Sequence, residues 1–592
     1  MKTLLVAINA KYIHTNPAVY LLRANAGEFC KDVIIREFTI NQSIDDILKG
    51  IVEEKPEFIG FSCYIWNIDI VKRLVRECRK LLPDTYVWLG GPEAEAGAEQ
   101  LLMDYPQVDG MMYGEGEGVF SELLSYYSAL EGIETCNVPE MCAQRDRIEN
   151  IKGIIFRNGE RIVRTAPAPV VDLDKLVFPN DEVMLEQTRG KILYYESSRG
   201  CPFHCSYCLS SEDNHVRFRS ADKVKEDLQV FLNAKVPQVK FVDRTFNCNH
   251  KRMTELLQFM LERDNGITNF HFEIGGDLLT EEELVLLGRF RPGAIQLEIG
   301  VQTTNSEVME RIGRVSKKNV LFENVKLLLQ SAKQHVHLDL IAGLPGEDLQ
   351  SFITSFNEVY LLHPHQLQLG FLKVLGNTRI YREAEKHGIK YREYPPYEVL
   401  ETASISYGEL LEIKQVEEMV EMYYNSGQFA EELRFLENYL INRSQSEYGS
   451  FSAYKMYLGL AKLYFSHFSN GMQSSRMARY ELLIEYIQTL TGKEMRDVVV
   501  QLAVYDCYAR ERKKARPVFS LQNDGERIVK AMLRENDACI AYYSENHAEH
   551  FTIDIKKTAE TGTAALRENI AIFDYEKRSP ITDNASVIFY EL

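Results

Sequence analysis

The stretch that decides the fold of this chain is Arg199-Gly200-Cys201-Pro202-Phe203-His204-Cys205-Ser206-Tyr207-Cys208. Its three cysteines stand in the spacing C-x3-C-x2-C, directly after the apolar run Ile192–Tyr195. A structural zinc site usually closes with four protein ligands, whereas an iron–sulfur cubane held by three cysteines leaves one iron open to another ligand. The spacing alone therefore leaves three interpretations: an open iron–sulfur cluster, a zinc loop with His204 as the fourth ligand, or three unrelated cysteines.

Length and composition indicate a globular protein of several domains. The chain has 592 residues, of which 45% are hydrophobic and 26% charged. It contains no run of ~18 apolar residues, so we expect no membrane span. The segment Met1–Asn9 is typical of a buried strand rather than of a signal peptide, which predicts a cytoplasmic protein. The net charge of −18 argues against general affinity for nucleic acid, although it does not exclude one local basic patch.

Residues 1–132 alternate short apolar runs with amphipathic ones, which predicts a first domain. Five β-α units with buried strands indicate a doubly wound parallel sheet, and such sheets bind ligands beyond the carboxyl ends of their strands. The predicted strands are Leu4–Ile8, Val33–Phe38, Phe58–Cys63, Tyr86–Leu89 and Gly110–Tyr113. The polar residues and glycines that follow these strands are Asn9, His14, Asn16, Ser62, Tyr64, Trp66, Gly90, Gly91, Glu93, Gly114, Glu115 and Glu117. No G-x-G-x-x-G motif occurs here, so a dinucleotide site is not supported.

Residues 191–390 give a second series of β-α units. Six strands separated by helices predict a barrel-like parallel sheet, in which chemistry occurs at the carboxyl ends of the strands. The predicted strands are Ile192–Ser197, Val239–Asp243, Asn269–Ile274, Ile295–Gly300, Val336–Ala342 and Gln366–Leu372. The cysteine loop follows the first of them, as that rule requires. Polar residues at the ends of later strands include Asp243, Glu298 and Gln302, and Gly343 follows the fifth strand.

The remaining segments are a connector and a C-terminal region. Residues 133–190 contain a predicted hairpin around Asn158-Gly159 and a proline-rich extended segment. Residues 391–592 are mainly helical in pattern and end in a small β subdomain. The predicted strands of that subdomain are Ala538–Tyr543, His550–Ile555, Ala571–Tyr575 and Ser586–Tyr590.

Three parts of the chain resemble a known family. The cysteine spacing, with Tyr207 before the last cysteine, resembles the signature of radical S-adenosylmethionine (SAM) enzymes. The segments Gly90–Glu93 and Tyr113–Glu117 resemble loops of the cobalamin-binding domain that precedes many radical SAM cores. Residues 391–592 resemble an uncharacterised C-terminal extension found on one branch of that family. The resemblance implies an α/β fold: a flavodoxin-like sheet, then a partial (β/α)6 TIM-like radical SAM barrel, then the helical extension.

The resemblance also implies the cofactors and their residues. Cys201, Cys205 and Cys208 would hold a 4Fe-4S cluster whose free iron chelates SAM, and an electron from the cluster would cleave SAM to a 5′-deoxyadenosyl radical. The residues implied to bind SAM are Phe203, Tyr207, Asp243, Glu298, Gln302 and Gly343. Cobalamin would lie on the twelve residues that follow the first sheet's strands. The domain lacks D-x-H-x-x-G, so no histidine of this domain is expected to ligate cobalt.

The expected reaction is methylation of an unactivated carbon, with no catalytic residue beyond the cofactors. The substrate stays open between a small molecule, a peptide and RNA, and a flavodoxin or ferredoxin is expected to supply the electron. One alternative is a cobalamin-dependent rearrangement or oxidation. Another is methylthiolation, for which Cys30, Cys63 and Cys78 would have to form a second cluster. The last is a non-catalytic cobalamin or redox sensor.

Overall fold

In a computed structural model, the described residues of the chain form two compact units. The description covers residues 1–131, 146–179, 182–211, 215–446, 451–468, 474–513, 515–521, 525, 527–529, 531 and 546–592. The first unit comprises Met1–Leu297, Glu310–Lys317 and Leu372–Thr402, and the second comprises Glu298–Met309, Lys318–Phe371 and Ala403–Leu592. None of the described helices is long and apolar enough to cross a membrane.

The first unit begins with a seven-stranded sheet. Its strands are β1 (Thr3–Asn9), β2 (Val33–Thr39), β3 (Phe58–Ser62), β4 (Tyr86–Gly90), β5 (Gly110–Met112), β6 (Ile154–Asn158) and β7 (Arg161–Arg164). The strand order is β2-β1-β3-β4-β5-β6-β7, and β1 to β5 run parallel. The predicted doubly wound parallel sheet is therefore confirmed.

The sheet is larger than the sequence predicted, because the connector hairpin joins it. Strands β6 and β7 form the expected hairpin, and β6 pairs antiparallel with β5. The first three residues of β6, Ile154–Phe156, are buried, so pairing with β5 removes their apolar side chains from water. The Asn158-Gly159 turn predicted the hairpin but carries no information about the strand with which the hairpin pairs.

Helices cover the sheet on both faces. They are α1 (Pro17–Ala24), α2 (Ile44–Glu53), α3 (Ile68–Leu81), α4 (Pro92–Glu95), α5 (Ala98–Asp104) and α6 (Gly116–Glu131). Asn16 caps α1 by accepting a hydrogen bond from the Ala18 amide, and Pro17 occupies the first helical position. The loop after β1 is thereby fixed at the carboxyl edge of the sheet.

The first unit also contains the start of a second parallel sheet. Its strands are β8 (Leu193–Tyr195), β11 (Gln238–Phe241), β12 (Asn269–Ile274) and the first residues of β13 (Ile295–Gln302), with the short β9 (Ser198–Arg199) and β10 (Arg217–Phe218) beside them. β8, β11 and β12 lie side by side and run parallel. The helices here are α7 (Glu182–Gln187), α8 (Ala221–Asn233), α9 (His250–Glu262) and α10 (Glu281–Leu287).

The second unit continues that series of strands. The rest of β13 is followed by β14 (His335–Ala342) and β15 (Gln366–Phe371), and β14 pairs parallel with β15 from His337 to Ala342. The helices of this stretch are α11 (Ser306–Arg311), which is shared between the units, α12 (Lys318–Ser331) and α13 (Leu349–Tyr360). The chain then returns to the first unit through α14 (Arg379–Glu383), β16 (Lys390–Tyr391) and β17 (Val399–Glu401).

The C-terminal region belongs to the second unit and is helical before it becomes a sheet. Its helices are α15 (Tyr407–Met419), which continues as a π-helix over Val420–Asn425, α16 (Ala430–Ser446), α17 (Ala453–His467), α18 (Arg476–Thr491), α19 (Arg496–Arg510) and α20 (Ile555–Thr561). Strands β18 (His547–Ile553), β19 (Leu566–Arg578) and β20 (Ala585–Glu591) form an antiparallel sheet. The predicted strand Ala538–Tyr543 lies outside the described residues.

Candidate functional site

The cysteine loop follows β9 and is held in place by backbone hydrogen bonds. The Ser206 amide donates to the carbonyl of Ile312 at 2.8 Å, and the Ile380 amide donates to the carbonyl of Ser206 at 2.8 Å. At the start of the loop, Gly200 has φ +97°, and a Cβ there would lie 2.5 Å from the carbonyl oxygen of His215. Only glycine suits this position, because the backbone conformation and the close approach both exclude a side chain.

The three cysteines of the loop suit a cluster better than a single zinc ion. Cys201 and Cys205 are buried and Cys208 is half-buried. Burial raises the pKa of Cys201, and the nearby Cys208 and Cys205 sulfurs raise it further. In the described chain, no three cysteine or histidine ligand atoms of this loop lie within 4.8 Å of one another. Sulfurs on one zinc ion at ~2.3 Å would be closer than that, so the zinc interpretation with His204 is not supported.

Asp243 holds the strand that leads into the cysteine loop. Its carboxylate is 1% exposed and accepts hydrogen bonds from the Ser197 amide at 2.7 Å and from the Ser197 and Ser198 hydroxyls at 2.5 and 2.8 Å. Burial raises the pKa of Asp243, while the serine hydrogen bonds lower it. The structure thus places this predicted SAM-binding residue beside the loop, with its oxygens already engaged by serines.

Arg314 is a charged residue near the cysteines that the sequence analysis did not single out. Its Nη1 lies 3.9 Å from Cys205 Sγ. Burial lowers the pKa of Arg314, but the neighbouring Tyr207 and Cys205 raise it above the ordinary value, so the guanidinium stays charged. A Cβ on Gly313 would lie 2.8 Å from the carbonyl oxygen of His204, which shows how closely this segment approaches the loop. The only signal in the sequence was a basic residue twelve positions after Gln302.

The two predicted aromatic residues of the loop, Phe203 and Tyr207, are both half-buried. Burial raises the pKa of the Tyr207 hydroxyl, which keeps it neutral, and the Arg314 guanidinium opposes that shift. Phe203 is adjacent in sequence to the exposed His204. Neither position tests the predicted SAM contacts, which stay predictions.

A cavity of about 370 Å³ opens at the carboxyl edge of the first sheet, within the first unit. Seven of the predicted cobalamin-binding residues line it: Ser62, Tyr64, Gly90, Gly91, Gly114, Glu115 and Glu117. Its wall also includes Glu196, Arg199 and Val242, which belong to the strand ends around the cysteine loop. The cavity therefore borders both the first sheet and the segment that carries the cysteines.

The inner part of this cavity is an apolar slot. Leu5, Leu22, Gly60, Leu89 and Met112 line it along β1, α1 and the central strands. A Cβ on Gly60 would lie 2.8 Å from Leu5 Cδ2, so a side chain at this glycine would crowd the slot. An apolar slot with a polar rim suits a ligand that combines an aromatic base with a polar macrocycle, as cobalamin does.

The other predicted cobalamin-binding residues lie near this edge but outside the cavity lining. His14 Nδ1 lies 2.6 Å from the Tyr194 hydroxyl, and Asn9 donates to the carbonyl of His14 at 2.9 Å. Asn16 donates from Nδ2 to the Ser62 hydroxyl at 2.9 Å in addition to capping α1. These residues shape the loop after β1, and their contacts with a cofactor stay a prediction.

Trp66 and Glu93 are likewise engaged within the protein. The Trp66 ring stacks on Tyr64 with centroids 4.5 Å apart, and its Nε1 donates to the carbonyl of Ile8 at 3.0 Å. Glu93 is buried and accepts a hydrogen bond from the Tyr397 hydroxyl at 2.7 Å. Burial raises the pKa of Glu93.

Arg199, which lies two residues before Cys201, forms ion pairs with carboxylates of the cavity lining. Its Nη1 lies 3.1 Å from Glu115, and its Nη2 lies 2.7 Å from Glu117 and 2.6 Å from Glu196. Although burial lowers the pKa of Arg199, its carboxylate partners raise it, so the cation persists. Arg217 makes a further ion pair with Glu115. The carboxylates of Glu115 and Glu117 therefore line the cavity and also neutralise arginine.

The second unit holds the remaining predicted SAM-binding residues. Gln302 has φ +70°, and its buried Oε1 has no hydrogen-bond partner among the described residues. Gly343 follows β14 with φ +83°. Glu298 lies with His337 and Asp339 in a group whose ligand atoms are all within 4.8 Å, an arrangement that could hold a cation.

The three cysteines considered for a second cluster are separated and mostly buried. Cys63 and Cys78 lie in the apolar core of the first sheet, and burial raises the pKa of each thiol to about 12. Cys30 is half-buried in a short 3-10 helix. Buried neutral thiols are poor cluster ligands, so this geometry does not support a second cluster.

Three family descriptions match consecutive parts of the chain. "B12 binding domain" matches residues 3–124, "Radical SAM superfamily" matches residues 195–359, and "Protein of unknown function (DUF4080)" matches residues 385–573. A radical SAM domain implies a 4Fe-4S cluster and SAM, and a B12 binding domain suggests cobalamin.

Individual relatives are distant. The chain is 24% identical over 375 residues to the cobalamin-dependent radical SAM methyltransferase TokK of Streptomyces tokunonensis, covering 59% of this chain and 51% of TokK. It is 23% identical over 338 residues to the anaerobic magnesium-protoporphyrin IX monomethyl ester cyclase of Rubrivivax gelatinosus, covering 55% of this chain and 58% of the cyclase. The matches thus span little more than half of each relative.

A solved structure supports the fold over most of the chain. The cobalamin-dependent S-adenosylmethionine radical enzyme OxsB, with aqua-cobalamin and S-adenosylmethionine bound, aligns with a TM-score of 0.56 at 12% identity. The alignment covers 95% of this chain and 83% of OxsB. With a B12 binding domain, a radical SAM domain and a DUF4080 region in one chain, the protein belongs to the cobalamin-dependent radical SAM family.

Proposed function

We propose that this protein is a radical SAM methyltransferase that uses a 4Fe-4S cluster on Cys201, Cys205 and Cys208 and cobalamin in the cavity of the first unit. One observation carries the proposal. The cavity at the edge of the first sheet is also lined by Glu196 and Arg199, which lead directly into the cysteine loop. Two cofactors bound at these places would lie side by side within one compact unit.

When bound, the cluster supplies the electron that cleaves SAM, and cobalamin supplies a carrier for the methyl group. The residues of the chain position these groups and keep water away from a reactive radical. The charged Arg314 beside Cys205 favours an anionic group next to the loop, such as the carboxylate of SAM. Arg199 holds the cavity rim against the cysteine segment, so the two sites keep a fixed separation.

Methyl transfer is favoured over the other reactions by the relatives and by the cysteine geometry. TokK is a methyltransferase, whereas the Rubrivivax protein is a cyclase, so a cobalamin-dependent rearrangement or oxidation is the second proposal. The core positions of Cys63 and Cys78 argue against methylthiolation. We propose no narrower substrate than a small molecule, a peptide or RNA, and we propose a flavodoxin or ferredoxin as the electron donor.

The test is SAM turnover by the anaerobically reconstituted protein in the presence of cobalamin and a chemical reductant. We expect 5′-deoxyadenosine from SAM and, with cell extract as the source of substrate, a product that carries a trideuterated methyl group from labelled SAM. The variant Cys205→Ala should lose both, whereas Cys30→Ala, a thiol outside the loop, should retain both. Cluster assembly without any SAM cleavage would instead indicate the sensor alternative. Cleavage without label in a product would favour rearrangement or oxidation.

A further inference from the structure

The second unit buries a carboxyl group that the proposed chemistry does not use. Glu347 follows β14 in the segment Gly343–Glu347 and is 1% exposed. Its Oε1 accepts hydrogen bonds from the Thr303 hydroxyl at 2.6 Å and the Ser351 hydroxyl at 3.4 Å. Its Oε2 is buried and has no partner among the residues that the structure describes. Burying a carboxyl with so few partners is unfavourable, so the group requires an explanation.

The contacts of Glu347 converge on the turn that follows β13. Thr303 is fully buried, and besides donating to Glu347 it accepts a hydrogen bond from the Asn305 amide at 3.1 Å. The Thr304 amide donates to the hydroxyl of Ser355, a buried residue of α13, at 3.0 Å. The turn is therefore held on one side by α13 and on the other by the loop after β14.

The residue that precedes this turn is strained and presents an unused acceptor. Gln302 adopts φ +70°, a left-handed conformation that side chains other than glycine rarely take. Such a conformation persists only where the surrounding structure enforces it. Its Oε1 is buried and has no partner in the described chain, so it can accept a hydrogen bond from a ligand hydroxyl.

We propose that Glu347 is a positioning residue that locks the Thr303–Thr304 turn and thereby holds Gln302 in the conformation that binds a hydroxyl of the SAM ribose. The inference rests on the proposed function, because SAM is the ligand that Gln302 would meet. The two segments that it joins, the turn after β13 and the Gly343 loop, are both predicted to contact SAM.

The ionisation of Glu347 gives this arrangement a pH dependence. Burial raises the pKa of Glu347 to about 7; the Thr303 and Ser351 hydrogen bonds lower it, and the nearby Asp348 carboxylate raises it. The groups that act on Glu347 are its hydroxyl partners and Asp348, and none of them carries a positive charge that would offset a negative charge on Glu347. Above its pKa, the carboxylate carries an uncompensated buried charge, which favours opening of the turn to water.

The experiment measures equilibrium binding of SAM to the anaerobically reconstituted holoenzyme between pH 6 and pH 8. Glu347→Ala should weaken SAM binding about tenfold at pH 6, the scale expected for the loss of a buried hydrogen bond. Glu347→Gln keeps a neutral acceptor of the same shape, so it should bind like the wild type at pH 6 without weakening towards pH 8. The matched control is Glu358→Gln. Glu358 lies on α13, but it is half-exposed and pairs with Lys318, so this variant should leave the affinity for SAM unchanged.

A double variant tests whether Glu347 acts through Gln302. Gln302→Ala should weaken SAM binding, and adding Glu347→Ala should weaken it less than twofold further, because the positioned group is already gone. Unchanged affinity in Glu347→Ala, or fully additive losses in the double variant, would overturn the inference while leaving SAM cleavage intact. Failure of the wild-type holoenzyme to bind SAM at all would overturn the proposed function and this inference with it.

Discussion

We predict how much the ion pairs of Arg199 contribute to the free energy of unfolding. Replacing Arg199 by methionine keeps most of the side-chain volume but removes the cation that faces Glu115, Glu117 and Glu196. The Arg199 side chain is 19% exposed and that of Glu117 only 8%, so these charges are partly shielded from solvent. Glu115 retains its ion pair with Arg217, whereas Glu117 Oε2 is buried without a partner in the described chain.

The expected cost follows from which carboxylates lose their partner. Removing one member of a buried ion pair costs ~3–5 kcal/mol, and the residual exposure of this cluster places the estimate at its lower end, about 3 kcal/mol. Without Arg199, the buried Glu117 carboxylate loses the cation that it faces. Glu117→Gln in the Arg199→Met background should therefore restore about 1–2 kcal/mol, the coupling expected of residues in direct contact.

The assay is urea unfolding of the cofactor-free protein, followed by circular dichroism, together with cobalamin retained after gel filtration. Arg189→Met is the matched control, because its 3.0 Å ion pair with Glu186 is mostly exposed and should contribute no more than ~1 kcal/mol. Arg199→Met should also retain less cobalamin, since the cavity rim loses its tie to the cysteine segment. A free energy of unfolding within ~0.5 kcal/mol of the wild type, or no rescue by Glu117→Gln, would refute the reasoning.

Three further predictions concern single residues. Gly91→Ala should abolish cobalamin retention measured by absorbance, because φ is +108° there and a Cβ would lie 2.6 Å from the Cys63 carbonyl oxygen; normal retention would contradict this. Asp243→Ala should cost about 1–3 kcal/mol and lower the iron bound per chain, since the Ser197 amide loses its acceptor; full iron content would count against the anchoring role. The pKa of Glu347, raised by burial from 4.5 to about 7, means that the folded protein binds this proton more tightly, so the contribution of Glu347 to stability is fully present below pH 4.5 and falls by up to ~3 kcal/mol towards pH 7. In unfolding curves, the difference between wild type and Glu347→Gln should follow that pH range; a constant difference would exclude it.

Features of the fold that depend on local sequence were predictable. The buried strands of the first sheet, such as β1 and β3, are apolar runs in the sequence. Their ends in the structure lie within one or two residues of the predicted ends. The cysteine spacing, through the family that it resembles, predicted an open cluster, because the spacing is a property of one short loop. The pairing of β6 with β5 was missed, since a hairpin pattern does not identify the strand beside it.

The candidate site was predictable in its residue types but not in its contacts. Glu115 and Glu117 were predicted as cobalamin-binding residues from their position after β5, and their ion pairs with Arg199 join residues more than 80 positions apart. Arg314 comes within 3.9 Å of Cys205 across 109 positions of sequence. No periodicity or motif encodes such a distance, because it depends on how separate strands and loops pack.

The sequence by itself predicted the cofactor class, through Cys201, Cys205 and Cys208, and determined the order of the two α/β domains, through hydrophobic periodicity. These are local properties, since spacing along a loop or strand decides which atoms can reach one ligand. Only the tertiary structure decided which charged groups meet an opposite charge: Arg199 faces three carboxylates, whereas the side chain of Glu347 has only hydroxyl groups as hydrogen-bond partners among the described residues. The physical reason is that desolvation and partner distance set the cost of a charge, and both depend on residues brought together from distant parts of the chain.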